Sequence, residues 1–194
     1  MTSRTNHIAA AFLLISILGM SAAHAGGQVK GWWTAGSAPQ DYDFGTEHVS
    51  GGQGQKSAFI KCIAADPKGF GTLSQAISAT QYRGKRVRLS AMMKAKDAES
   101  AQLWLRMDGS DQKVLNFYNM NDKPVKGTTE WKRYEIVLDV PQESLAIFYG
   151  YFVQGKGEAW ADSFKIETVG NDVPVSKFTG AGYSDKPVNA GFEE

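Results

Sequence analysis

Tyr82-Arg83-Gly84-Lys85-Arg86-Val87-Arg88-Leu89-Ser90-Ala91-Met92-Met93-Lys94 and, after a polar stretch, Ala101-Gln102-Leu103-Trp104-Leu105-Arg106-Met107-Asp108 decide the fold. Both segments alternate apolar and polar residues with period two, the pattern of a strand buried on one face. In the first, Val87, Leu89, Ala91 and Met93 point inward, while Arg86, Arg88, Ser90 and Lys94 point outward. In the second, Leu103, Leu105 and Met107 go in, and Gln102, Trp104, Arg106 and Asp108 go out. Lys94–Ala101 between them has helical propensity but is short for a helix, so the expectation is a loop joining two strands.

The same alternation recurs outward from this stretch. Trp131–Val140 reads as a strand with Tyr134, Ile136, Leu138 and Val140 inward, stopped by Pro141. Phe59–Ile63, Phe70–Ser78, Val114–Met120, Leu145–Val153 and Ala159–Val169 are short and strand-like, with Gly, Pro and Asn at the breaks. Trp32 and Trp33 are adjacent, so on an extended segment they face opposite ways: one toward the core, one free to stack or cover an edge. Short strands at regular spacing predict an all-β, two-sheet antiparallel β-sandwich.

The chain has 194 residues and a formal net charge of +1. That balance gives no sign of a nucleic-acid partner. Arg4, the apolar run from Ile8 to Gly19 and the small-x-small site Ala23-His24-Ala25 predict a signal peptide over 1–25, hence a periplasmic or secreted protein with no membrane span after cleavage. The expected divisions are a sandwich over 26–170 and a flexible tail over 171–194. Cys62 is the one cysteine, so no internal disulfide can form, and it reads as a small buried apolar residue.

Gly84-Lys85-Arg86-Val87-Arg88-Leu89-Ser90, then Thr129-Glu130-Trp131-Lys132-Arg133-Tyr134 leading to Val140-Pro141, then Trp160-Ala161-Asp162-Ser163-Phe164 resemble, in order and spacing, the jelly rolls of the galactose-binding-like superfamily. Trp33-Thr34-Ala35-Gly36-Ser37 and Gly71-Thr72-Leu73-Ser74-Gln75 resemble a narrower bacterial branch, sometimes appended to transcription regulators. The resemblance implies a β-jelly roll, sugar binding on a sheet face or at the loop ends, and in some members a structural calcium. The sequence departs from the family's Asp-Asp pair, because Ser163 follows Asp162. No other cofactor is implied.

Sugar recognition needs flat aromatic faces and planar polar groups. Trp104 is the expected stacking platform, with Arg106 and Asp108 beside it to bond hydroxyls. If strands 114–120 and 145–154 join the same sheet, Asn116, Tyr118, Phe148, Phe152 and Gln154 share the surface. The alternative is that Trp104 and Phe152 are covered by a loop or the C-terminal tail. A buried Trp brings about 150–250 Å² of contact, roughly 4–6 kcal/mol gross, and association consumes most of it. The expected affinity is on the order of micromolar to millimolar. Asp41, Asp43, Glu47 and His48 lie close in sequence but match no defined metal spacing. No carboxylate pair stands out for glycoside hydrolysis. The expectation is a non-catalytic module binding a carbohydrate or similar small polar ligand. A polysaccharide hydrolase or lyase, and an envelope protein–protein module, are the rivals.

Overall fold

A computed structural model describes residues 29–52 and 56–177. The segment read as a signal peptide, and residues 178–194, lie outside the described residues. Among the described residues nine strands make up the regular structure: β1 (Trp33–Gly36), β2 (Tyr42–Glu47), β3 (Ser57–Cys62), β4 (Phe70–Ser78), β5 (Arg86–Asp108), β6 (Val114–Asn119), β7 (Val125–Asp139), β8 (Ala146–Gln154) and β9 (Glu158–Val169). Two single 3₁₀ turns are the only helical elements among the described residues.

All pairings are antiparallel. They form two layers that share β5. The front sheet runs β1-β4-β8-β5-β6, using the second half of β5. The back sheet runs β7-β5-β9-β3-β2, using the first half. Inward residues of both sheets meet in one core that includes Leu89, Met93, Leu103, Leu105, Ile136, Ile147 and Tyr151. This is the antiparallel β-sandwich expected from the alternation.

The expected loop at Lys94–Ala101 is not there: β5 is one strand of 23 residues. Its pairing with β7 slips between Met93 and Ala95, between Ala95 and Ala98, and between Ala98 and Ala101. These bulges bend the strand from one layer into the other. The three-residue steps place Ala95, Ala98 and Ala101 inward, all buried. Asp97, at φ 51°, takes the positive-φ position of the bend. Its backbone N–H donates to Thr128 Oγ1, and that hydroxyl donates back to Asp97 Oδ1. Gly157 passes so close that a Cβ there would sit 2.4 Å from Ala98 Cα. Helical propensity in this octapeptide is worth only tenths of a kcal/mol per residue, and packing into two sheets outweighs it.

The first residues beyond β9 do not leave the surface. Arg86 Nη1 donates to the carbonyls of Asn171 and Val173, and Ser176 exchanges hydrogen bonds with the backbone of Val137. Residues 171–177 of the stretch expected to be a tail therefore lie along the back sheet. Cys62 is half-buried, with its Sγ 3.4 Å from the Ala64 carbonyl.

Candidate binding face

The two outer faces of the sandwich differ in chemistry. On the back sheet the outward charges neutralise one another: Arg88 with Glu135 and Glu167, Arg133 with Glu135 and Glu167, Lys165 with Glu167, and Arg86 with Asp139. Such a face is solvated and self-sufficient. The front sheet's outer face instead carries aromatic rings.

Strand register lays that face out in rows, because residues directly opposite each other share a side. One row runs Trp33, Ser74, Gly150, Trp104 and Asn119 across β1, β4, β8, β5 and β6. The next runs Ala76, Phe148, Arg106 and Phe117 across β4, β8, β5 and β6. On the other side of the first row lie Ala35, Thr72, Phe152 and Gln102.

Trp104 faces outward as expected, but it is only 7% exposed. It is no upright platform. The indole lies down over Gly150, where a Cβ would come within 3.1 Å of its Nε1. Its N–H donates to Thr72 Oγ1 at 3.0 Å, two strands away. A glycine in the facing strand thus makes room for the ring to become part of the floor. Phe152 is buried beside it, its ring 5.2 Å from Phe70. Both rings are thus buried among residues of the sheet itself.

Arg106 and Asp108 are neighbours on this face. Arg106 Nη2 donates to Asp108 Oδ2 at 2.8 Å, and the guanidinium carbon sits 4.9 Å over the Phe148 ring. Desolvation pushes the buried Asp108 carboxyl above its ordinary range, and the Arg106 charge only partly opposes it. Asp108 Oδ1, Arg106 Nε and Gln102 Oε1 have no hydrogen-bond partner among the protein atoms. Phe148 is half-buried and Gln154 exposed, both on the face where they were expected.

Asn116 and Tyr118 are not on it. They pair with Met107 and Leu105, the inward residues of β5. Tyr118 is buried in the core, its hydroxyl donating to Asp122 Oδ1. Asn116 donates to the Asp139 carbonyl at the sheet edge. The phase of β6 is set by the turn at Gly109–Lys113, where Asp111 and Gln112 both take positive φ, and by the bulge at Met107/Asp108. A shift of one residue exchanges the two faces. Phe117 and Asn119 occupy the places assigned to Asn116 and Tyr118.

Sequence reasoning also left out Trp33. It is 41% exposed, at the open end of the first row, and stands edge-on to Phe148 with centroids 6.3 Å apart. Trp32 packs inward on Tyr149 and Phe164. The opposite facing of this pair was the available signal. Trp33, Phe148 and Phe117 (42% exposed) are therefore rings that solvent reaches on this sheet, as is half-buried Phe70 beside Phe152, and the Arg106 guanidinium lies over Phe148.

Among the described residues no three His, Cys, Asp or Glu side chains gather as metal ligands. Asp162 Oδ1 accepts the Ser163 backbone N–H at 2.6 Å, an arrangement that closes a bend. Calcium takes about 6–8 oxygen ligands, backbone carbonyls included, so Asp162 by itself does not define a calcium site.

The fold so defined is the β-sandwich of carbohydrate-binding modules, as the motif order implied. The CBM22-1 xylan-binding domain of Paenibacillus barcinonensis Xyn10C superposes with a TM-score of 0.52, covering 74% of this chain and 88% of that one at 15% identity. TmCBM61, solved with β-1,4-galactotriose, superposes with a TM-score of 0.50 over 72% of this chain and 90% of that one, at 14% identity. No protein-family model matches the chain. In sequence the chain is 39% identical over 170 residues to the uncharacterized HTH-type transcriptional regulator YbfP of Bacillus subtilis. The match covers 86% of this chain and 58% of the regulator, consistent with a domain that also occurs appended to regulators.

Proposed function

We propose that this chain is an exported, non-catalytic module that binds a carbohydrate on the outer face of its front sheet. The observation that carries the reading is the asymmetry of the two outer faces. Charges on the back sheet are spent on each other. The front sheet presents Trp33, Phe148 and Phe117 around a guanidinium, over a floor of Trp104, Ser74 and Gly150. Aromatic rings take the apolar face of a sugar, while Arg106, Gln154 and Asn119 are within the same face to bond hydroxyls. The two modules above, one named xylan-binding and one solved with β-1,4-galactotriose, support this use of the architecture. Membership of a regulator's chain, as in YbfP, is compatible with the same domain recognising a small ligand.

Non-catalytic status is supported by the acid count. The three rows above carry no carboxylate, and Asp108, one register step beyond Arg106, is tied to that residue. Glycoside hydrolysis by the common route needs two, roughly 5–10 Å apart. Export rests on the apolar N-terminal run, and a mature N-terminus at Gly26 by mass spectrometry would support it.

A glycan array followed by calorimetry tests the proposal. The full-length mature chain should bind at least one oligosaccharide at micromolar to millimolar affinity, and Trp33→Ala should weaken it by about tenfold or more, the worth of one stacked ring. Unchanged affinity in both Trp33→Ala and Phe148→Ala, or no glycan bound at all, would overturn it.

A further inference from the structure

β1, β4, β6 and β8 carry no Asp, Glu, Lys or Arg at any position. From Ser100 onward, the part of β5 that lies in the same sheet carries Arg106 and Asp108. These two are bound to each other, Arg106 Nη2 donating to Asp108 Oδ2 at 2.8 Å, and their side chains are 18% and 9% exposed. The strands of the front sheet therefore sum to zero charge, with no cation left over. The back sheet is built otherwise: β7 alone carries Lys126, Glu130, Lys132, Arg133, Glu135 and Asp139.

What the front face offers between its rings is hydroxyls and amides: Thr72, Ser74, Ser78, Gln102, Asn119 and Gln154. Such groups exchange hydrogen bonds with sugar hydroxyls without stripping water from an ion. A uronate or sulfate is a different guest. An anion that leaves water needs a cation in its place, and the cost is large where none is free. Arg106 is the cation of this sheet, and Asp108 already holds it. An incoming carboxylate would meet a neutral pair whose accessible partner has its own sign.

We propose, on the carbohydrate reading above, that the front face takes uncharged glycans, and that Asp108 turns away uronate- and sulfate-bearing ones by occupying Arg106. Without Asp108 the same position would present a guanidinium fork, the group that matches a carboxylate best. Asp108 is in this sense a specificity residue: it removes the one charge on the face that would recruit an acidic polymer.

The probe is the oligosaccharide bound on the array, prepared in a hydroxyethyl form and in a carboxymethyl form, which share a backbone and differ in charge. Calorimetry with the full mature chain at neutral pH should find the carboxymethyl form bound at least about tenfold more weakly than the hydroxyethyl form. Asp108→Asn keeps the size of the side chain and frees the guanidinium, so it should narrow that gap about tenfold, the worth of one charge-assisted hydrogen bond. Should Asp108→Asn fail to fold, salt decides with wild type: affinity for the hydroxyethyl form should stay within about twofold between roughly 0.05 and 0.5 M sodium chloride, because no free ion takes part. Equal binding of the two forms by wild type, a gap unchanged in a folded Asp108→Asn, or a steep loss with salt would each overturn the selectivity and leave the sugar-binding face standing. An array with no bound glycan would overturn both.

Discussion

Replacing Trp104 with alanine separates a floor residue from a binding platform. An upright, solvent-facing indole could be removed at little cost to folding. The indole here is 7% exposed and donates to Thr72. Burying a Trp side chain removes about 150–250 Å² from water, or roughly 4–6 kcal/mol at ~25 cal/mol per Å². A compact denatured state already hides about 10–40% of that area. The lost hydrogen bond adds on the order of 1 kcal/mol. The expected destabilisation is therefore about 3–5 kcal/mol, within the range for large-to-small aromatic replacements in packed sites. With a urea slope of about 2 kcal/mol per molar, the unfolding midpoint falls by about 2 M. Equilibrium urea denaturation followed by circular dichroism reads this directly. A midpoint within about 0.3 M of wild type would refute the packed indole and restore Trp104 as an exposed platform.

Three further outcomes follow from the geometry. Gly150→Ala puts a Cβ 2.0 Å from the Leu73 carbonyl oxygen and 3.1 Å from the Trp104 ring nitrogen, so it should cost about 1–3 kcal/mol; an unchanged thermal midpoint would contradict the close approach. Asp108 has a carboxyl pushed up by burial, so the folded state binds its proton more readily than the unfolded chain does. Wild-type stability relative to Asp108→Asn should rise as the pH falls from the raised value toward the ordinary 3.8, with urea midpoints at pH 7 and pH 4 as the readout. A gap that narrows on acidification would contradict it. Asp139 has the opposite sign. Its hydrogen bonds from Arg86 hold its carboxyl below the ordinary range. The stability it lends is present above the ordinary 3.8 and is lost as the pH falls through its depressed value. In Arg86→Ala the loss on acidification from this group should disappear.

Much of the sandwich is legible in the residues. Period-two alternation placed Val87, Leu89, Leu103, Leu105, Ile136 and Leu138 inward, and all are buried. It placed Trp104, Arg106, Phe148 and Phe152 on one side, where register confirms them. Alternation cannot show how a strand passes between sheets. The bulges at Ala95, Ala98 and Ala101 look in sequence like a short helix, because three-residue spacing is common to both. Nor can it show phase across a hairpin: one residue more or less in the Gly109–Lys113 turn exchanges Tyr118 with Phe117. The lying indole of Trp104 depends on Gly150, 46 positions away in a neighbouring strand, so sequence period alone carries no trace of it. Trp33 was half legible, since its neighbour Trp32 had to face the other way.

The most direct test of the account is a nuclear magnetic resonance titration of the full chain with the oligosaccharide found on the array. The account predicts chemical-shift changes at the Trp33 indole N–H, at Phe117 and Phe148, and along the amides of β1, β8 and the second half of β5, with Arg88, Glu135 and Glu167 unmoved. Changes centred on the back sheet, with Trp33 and Phe148 silent, would contradict it.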